Sequence, residues 1–195
     1  TWAAQNPKNG DIWVTDGYGG DIVIRYGKDG RQLDTLDGTE GIGRFKTPHD
    51  LEIRLKKDNR HELFITDRAK KQIVVYDMNG SFLRHIKGLH SSCSFCFSGD
   101  QVIIPELFSG IKVLDADTLE LQTEIGKSGL VIPRDLSSDI WWLESCPDGY
   151  PNLRNTKDLI PGMFSSPHGT CVTPGGDIYV VEWIIGGRVT KLERR

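Results

Sequence analysis

The chain has 195 residues, 26% of them charged, with a formal net charge of −3 and a pI of about 5.9. That balance lacks the basic footprint of a nucleic-acid binder, and short clusters such as Lys56-Lys57 and Lys70-Lys71 read as solvated loop charge. No apolar stretch approaches the roughly 20 residues of a membrane-spanning helix, while the length suffices for one domain with a sizeable core.

The chain opens on Thr1-Trp2-Ala3-Ala4, without a Met or a secretory leader, which reads as the interior of a processed or truncated protein. A first repeat unit then spans about 1–38. Its run "DIWVTDGYGGDIVIRYGKDGRQLDTL" from residue 11 has a short β-branched stretch, an acid at Asp16, a turn, a second stretch, a turn at Lys28-Asp29-Gly30 and a third stretch. Gly17, Gly19 and Gly20 are expected to give this turn backbone freedom around Tyr18. The equivalents of Tyr18 in the other units are Ala69, Phe108 and Ile184, so the turn itself does not demand a phenol. Two readings stand: a ring capping the apolar edge of the unit, or an aromatic held at the mouth of a channel.

A second unit spans about 45–88, a third about 91–126 and a fourth about 163–195. The acid recurs in register at Asp67, Glu106 and Glu182, where the structural expectation is a strand-end carboxylate accepting backbone N–H bonds from the turn that follows. Strand-like stretches precede these runs at "PHDLEIRL" from 48, "SSCSFCF" from 91 and "PHGTCVT" from 167. Each unit is therefore about four short strands joined by tight turns, with almost no helical periodicity. Four-stranded units repeating every 40–50 residues or so predict an all-β fold, a β-propeller. The first unit starts inside its first strand and the fourth ends without a fourth strand, so a fragment of a larger ring, truncated at its N-terminus, is expected over a self-contained four-bladed ring.

Between the third and fourth units, residues 127–166 hold four of the nine prolines and the pair Trp141-Trp142. Such an irregular insertion either shapes a binding face or packs its tryptophans on a neighbouring blade. Of the cysteines, Cys93-Ser-Phe-Cys96 has metal-like spacing, but no second pair follows it. Cys93, Cys96, Cys146 and Cys171 are therefore read as buried thiols or one disulfide rather than a cysteine metal site.

Two Pro-His pairs, Pro48-His49 and Pro167-His168, occupy matching places at the start of their units. Two imidazoles in register predict a partial metal site, zinc by preference, whose third ligand must come from elsewhere. His61, His85 and His90 read as surface. Arg68 follows the acid of the second unit, where the other units have Gly17, Leu107 and Trp183. A guanidinium there would hold a carboxylate or a developing oxyanion, or else pair with Asp67.

The stretch "GRFKTPHDLEIRLKKDNRHELFITDRAKKQIVVYDMNGSFLRHIKG" resembles one whole NHL repeat. Within the NHL propellers the chain is most similar to the peptidyl-α-hydroxyglycine α-amidating lyases, through Asp16-Gly17-Tyr18, Pro48-His49, Thr66-Asp67-Arg68 and Pro167-His168 in that order. The resemblance implies a six-bladed ring and a zinc-dependent lyase that cleaves a C–N bond in a carbinolamine-type substrate. His49 and His168 would be metal ligands, Tyr18 and Arg68 would be catalytic, and calcium would be structural. It also implies a secreted or periplasmic protein. Two positions differ from that family: Gly169 stands where the lyases have a calcium-linked Asp, and Ile22 where an Arg closely follows the tyrosine. The alternative is a non-catalytic propeller that binds protein or carbohydrate; neither reading expects nucleic acid or a membrane as partner.

Overall fold

The computed structural model describes residues 1–107, 110–127, 160–184 and 187–194. Phe108, Trp141, Trp142, Cys146 and most of the segment 127–166 lie outside the described residues. The one helical element among the described residues is a 3₁₀ turn, Arg68–Lys70. No helix among them is long and apolar enough to cross a membrane.

The chain divides into two compact units, Thr1–Phe95 and Cys96–Arg195. In the first, strands β1 (Ala3–Gln5), β2 (Ile12–Asp16), β3 (Ile22–Tyr26) and β4 (Gln32–Leu36) form one antiparallel sheet in sequential order. Strands β5 (Pro48–Leu55), β6 (His61–Asp67), β7 (Gln72–Asp77) and β8 (Phe82–Lys87) form the next. In the second unit, β9 (Cys96–Ser98), β10 (Gln101–Pro105), β11 (Ile111–Asp115) and β12 (Leu121–Ile125) make a third sheet. Strands β13 (Pro167–Val172), β14 (Ile178–Glu182) and β15 (Arg188–Leu192) make a fourth, of three strands. Sheets of this sequential, up-and-down order are propeller blades, as the repeat predicts.

Burial follows strand position. The middle strands of the second blade are buried along nearly their whole length, which is why "ELFIT" and "QIVVY" read as continuous apolar runs rather than alternations. The outer strands β4 and β12 are mostly exposed and correspondingly polar. The first unit closes around Trp13, Val23, Phe45, Leu51, Leu63, Ile65 and Tyr76. Each such side chain contributes about 1.5–3 kcal/mol by leaving water. The second unit closes around Ile103, Ile111, Val113, Phe164 and Val180. Phe164 is held there by its N–H donating to the Gly126 carbonyl at 2.9 Å, in a space where a Cβ on Gly126 would meet its ring at 2.4 Å.

One expected strand is shorter than the sequence suggests. Of the "SSCSFCF" stretch only Cys96 and Phe97 belong to a strand, which runs Cys96–Ser98. Residues 91–95 instead carry Cys93 and Phe95 into buried positions in the first unit, where Phe95 packs on Phe64 and its N–H donates to Asp50 Oδ2 at 2.9 Å.

Candidate functional site

The Pro-His pairs are shaped by the same device in each unit. In the second blade Pro48 is paired with Asp67 and Leu51 with Ile65, so two residues, His49 and Asp50, oppose Thr66 alone. In the fourth blade Pro167 pairs with Glu182 and Gly169 with Val181, which leaves His168 as the extra residue. A β-bulge of this kind bends the strand and re-aims a side chain.

The recurrent acid fixes the approach to each bulge. Asp67 Oδ1 accepts the Lys46 N–H at 2.7 Å, and Glu182 Oε1 accepts the N–H groups of Ser165 at 2.7 Å and Ser166 at 3.1 Å. The residue after the acid closes the loop from the other side, Arg68 N–H donating to the Thr47 carbonyl and Trp183 N–H to that of Ser166. The far oxygen of each acid takes a donor from the next strand: Gln72 Nε2 at 2.7 Å on Asp67 and Arg188 Nε on Glu182. In the third blade Lys112 Nζ pairs with Glu106 at 3.1 Å.

This corrects the expectation for the acids. Asp16 caps its following turn, accepting Gly19 N–H at 2.9 Å and Gly20 N–H at 2.8 Å, whereas Asp67 and Glu182 accept from the loop before their bulges. The reason is its cross-strand neighbour, Ile22, which offers no side-chain donor. The glycines of that turn also serve differently from expectation. None of Gly17, Gly19 and Gly20 adopts a positive φ; the left-handed residue of the turn is Asp21, φ 54°. Close approach is what requires them. A Cβ on Gly17 would lie 2.2 Å from the Pro48 carbonyl oxygen, and one on Gly19 would lie 2.7 Å from the Asp16 carboxylate. The turn is thus pressed against Pro48, and Asp21 Oδ1 accepts the Thr47 N–H at 2.7 Å to hold it there.

That docking delivers Tyr18 to His49. Tyr18 is 70% exposed, so it is not a cap on an apolar edge. Its Oη lies 3.0 Å from His49 Nε2, with the rings edge to face, and 3.1 Å from Arg68 Nη1. The Arg68 guanidinium also lies over the Tyr18 ring, 5.4 Å from its centroid, a cation–π arrangement. Arg68 does not pair with Asp67, whose oxygens are taken by Lys46 and Gln72. Its other contact is the Cys93 Sγ at 3.8 Å. The second ring nitrogen, His49 Nδ1, is 2.7 Å from the Cys93 carbonyl. A carbonyl only accepts, so Nδ1 carries a proton, and in the neutral ring it is the Nε2 lone pair that faces Tyr18.

The groups beneath are dry. Burial pushes the Asp50 carboxyl up to about 8, against the Phe95 N–H that favours its anion. Burial likewise raises the Cys93 thiol, while the Arg68 charge and hydrogen bond pull the other way.

His168, in the second unit, stands edge to face with Trp183 at 6.0 Å between ring centroids. Cys93, Cys96 and Cys171 are thiols. Sequence reasoning missed the part played by Cys93. The available signal was its place, 13 residues before Glu106, against 14 between His168 and Glu182. His61, His85 and His90 are half-buried rather than surface residues, and none joins this cluster.

A model of the NHL repeat matches residues 164–183, the stretch that holds the whole Pro-His loop and acid of the fourth blade. No curated protein matches the chain by sequence. Among solved structures, the chain is similar to a protein of unknown function from Bacteroides caccae, with a TM-score of 0.58 at 12% identity over 99% of this chain. It spans 62% of that protein's length. The WD40 repeats of RRP9 align with a TM-score of 0.52 at 15% identity, over 63% of this chain and 37% of the other. U3-55K aligns at 0.51 and 15%, over 63% and 38%. These likenesses show the fold alone: an all-β chain of propeller blades that carries an NHL repeat.

Proposed function

We propose that the Tyr18, His49 and Arg68 cluster is the reacting centre of a metal-dependent lyase, one that cleaves the C–N bond of a carbinolamine. The observation that carries this reading is the placing of Tyr18 Oη between His49 Nε2 and an Arg68 N–H, at 3.0 and 3.1 Å. The amidating lyases supply the substrate class through the resemblance of the Asp-Gly-Tyr, Pro-His and Asp-Arg motifs.

His49 suits a metal. Its Nδ1–H is tied to a backbone carbonyl, the outer contact that orients metal-ligating imidazoles, and Nε2, which faces Tyr18 Oη, is the nitrogen that would ligate. That His168 shares such an ion is proposed from its matching Pro-His register alone. A bound zinc ion would make a substrate hydroxyl more acidic.

The residues of the chain do the rest. Arg68 donates to Tyr18 Oη and would stabilise negative charge on that oxygen once the phenol proton has left. Tyr18 takes the proton of the substrate hydroxyl, the C–O bond becomes a carbonyl, and the C–N pair leaves with nitrogen, which is protonated in turn. An aldehyde and an amide result, and nothing is oxidised or reduced.

The test is to incubate the zinc-loaded protein with a hydroxyglycine-extended peptide and measure glyoxylate. Release that is lost in Tyr18→Phe supports the lyase. No release from protein that holds zinc sinks it and leaves a propeller that binds.

A further inference from the structure

Building on the metal-holding role of His49, we infer that Cys93 is a second donor to the same ion through its thiolate. The backbone repeats itself at the two residues. Thr47, two before His49, has φ 57°, and Ser91, two before Cys93, has φ 64°; both are non-glycine residues in the left-handed region. Such a conformation is uncommon for side-chain-bearing residues, and its recurrence sets Cys93 in the same local frame as His49, a frame that Ser166, two before His168, does not share.

The surroundings of the sulfur fit a ligand better than a packed thiol. Cys93 is 1% exposed, yet its Sγ faces polar groups, the Ser91 carbonyl at 3.7 Å and Arg68 Nη1 at 3.8 Å. A ring nitrogen of His49 and this sulfur lie within 4.8 Å of one another. No carboxylate forms an ion pair with Arg68 among the described residues; the guanidinium is directed at a phenol and a thiol. A coordinating ion removes the thiol proton outright, and Arg68 would share the resulting charge. Cys93 would then act twice on the ion, directly through sulfur and indirectly through the carbonyl that orients His49.

The donor class follows. One imidazole and one thiolate select zinc or cobalt(II) and reject calcium or magnesium, which take oxygen. Calcium therefore has no place in this cluster.

Cobalt(II) reports the sulfur optically, independently of any lyase activity. The full chain, titrated with cobalt(II), is expected to develop a near-ultraviolet sulfur-to-cobalt charge-transfer band at one ion per chain. Cys93→Ser should lose the band and bind cobalt about 10–100-fold more weakly; Cys93→His should retain tight binding without the band. X-ray absorption of the zinc-loaded wild type, which depends on no variant's folding, should find one sulfur at about 2.3 Å. Metal bound with no sulfur neighbour, or a band that survives Cys93→Ser, overturns the role of Cys93 and leaves the metal on His49 standing. No uptake of zinc or cobalt by the wild type overturns both.

Discussion

The two Pro-His loops share a frame and differ in what surrounds the ring. Each histidine sits in a bulge, each loop is clasped by an acid at the end of the neighbouring strand, and each clasp is closed by the N–H of the next residue. In the second blade that next residue is Arg68, and the imidazole meets a phenol. In the fourth it is Trp183, and the imidazole meets an indole edge. The clasp is thus a property of the repeat, used wherever the loop must be held. The polar company of His49 is a local addition that the repeat does not require, and residues that the fold does not need are the ones to ask about function.

The largest effect that separates the loops should come from Tyr18→Phe. Removal of a proton-transferring phenol costs about 10²–10⁴-fold in turnover. The melting temperature should stay put, because the ring is 70% exposed. Trp183→Phe in the other loop should leave turnover unchanged. An active Tyr18→Phe protein would make the loops equivalent and remove the ground for a reacting centre at His49.

Gly17→Ala comes next, for it attacks the docking that unites Tyr18 with His49. The added methyl would sit 2.2 Å from the Pro48 carbonyl oxygen, which is backbone and cannot rotate away. We expect a loss of about 3 kcal/mol in urea unfolding, at the upper end for an overpacked site, together with loss of turnover. Gly175→Ala, in a turn of the fourth blade where the nearest atom is 3.8 Å from the new methyl, should be tolerated. Equal stability of the two variants would show that the turn is not pressed on Pro48.

The clasp itself should matter in both loops. Asp67→Ala frees the Lys46 N–H and Gln72 Nε2, and Glu182→Ala frees two N–H groups and Arg188. Each should cost about 1–3 kcal/mol by chemical denaturation, with Glu182→Ala the worse because a cation is left behind. A neutral Asp67→Ala would reduce the acid to a passenger of the repeat.

How much of this was legible depended on what carried it. Strand positions, blade spacing, the acid register and the Pro-His pairs are written in residue type and period, and the structure places Tyr18, His49 and Arg68 together as their motifs suggested. The bulges were not legible, because an extra residue in one strand shows only against its partner. The purpose of Gly17 was hidden for a similar reason: it concerns Pro48, which lies 31 residues away. Cys93 was overlooked because the search for ligands followed histidine, and the pairing with Cys96 suggested a different motif. Its spacing to Glu106 was the signal in the sequence, and the backbone angle at Ser91 repeats the one at Thr47.

The smallest predicted effect contrasts the two ends of strand β6. At its end, burial raises the carboxyl of Asp67, opposed by the Lys46 N–H and Gln72. At its start, burial works against the Glu62 anion, but the Arg84 fork at 2.7 and 2.9 Å and the charges of Arg84, Lys56 and Arg54 outweigh it and hold the carboxyl below its usual range. The signs differ accordingly. Glu62 is depressed in the folded state, so its contribution is present above the unfolded pKa, near 4.5, and is lost as the pH falls through the lower folded value. Asp67 is raised, so the fold holds its proton longer than the unfolded chain does, and stability declines as the pH climbs from about 3.8 through the folded value. Glu62→Gln should therefore cost on the order of 1 kcal/mol at pH 7 and progressively less toward pH 3, measured as urea midpoints. Asp67→Asn should show the reverse trend, with its deficit largest in acid. Parallel pH profiles for the two variants would mean that the cations around Glu62 do not distinguish it from the clasp acid. Opposed profiles would confirm that the clasp at Asp67 works through hydrogen bonds to neutral donors, whereas the clasp at Glu182 also engages a cation, Arg188.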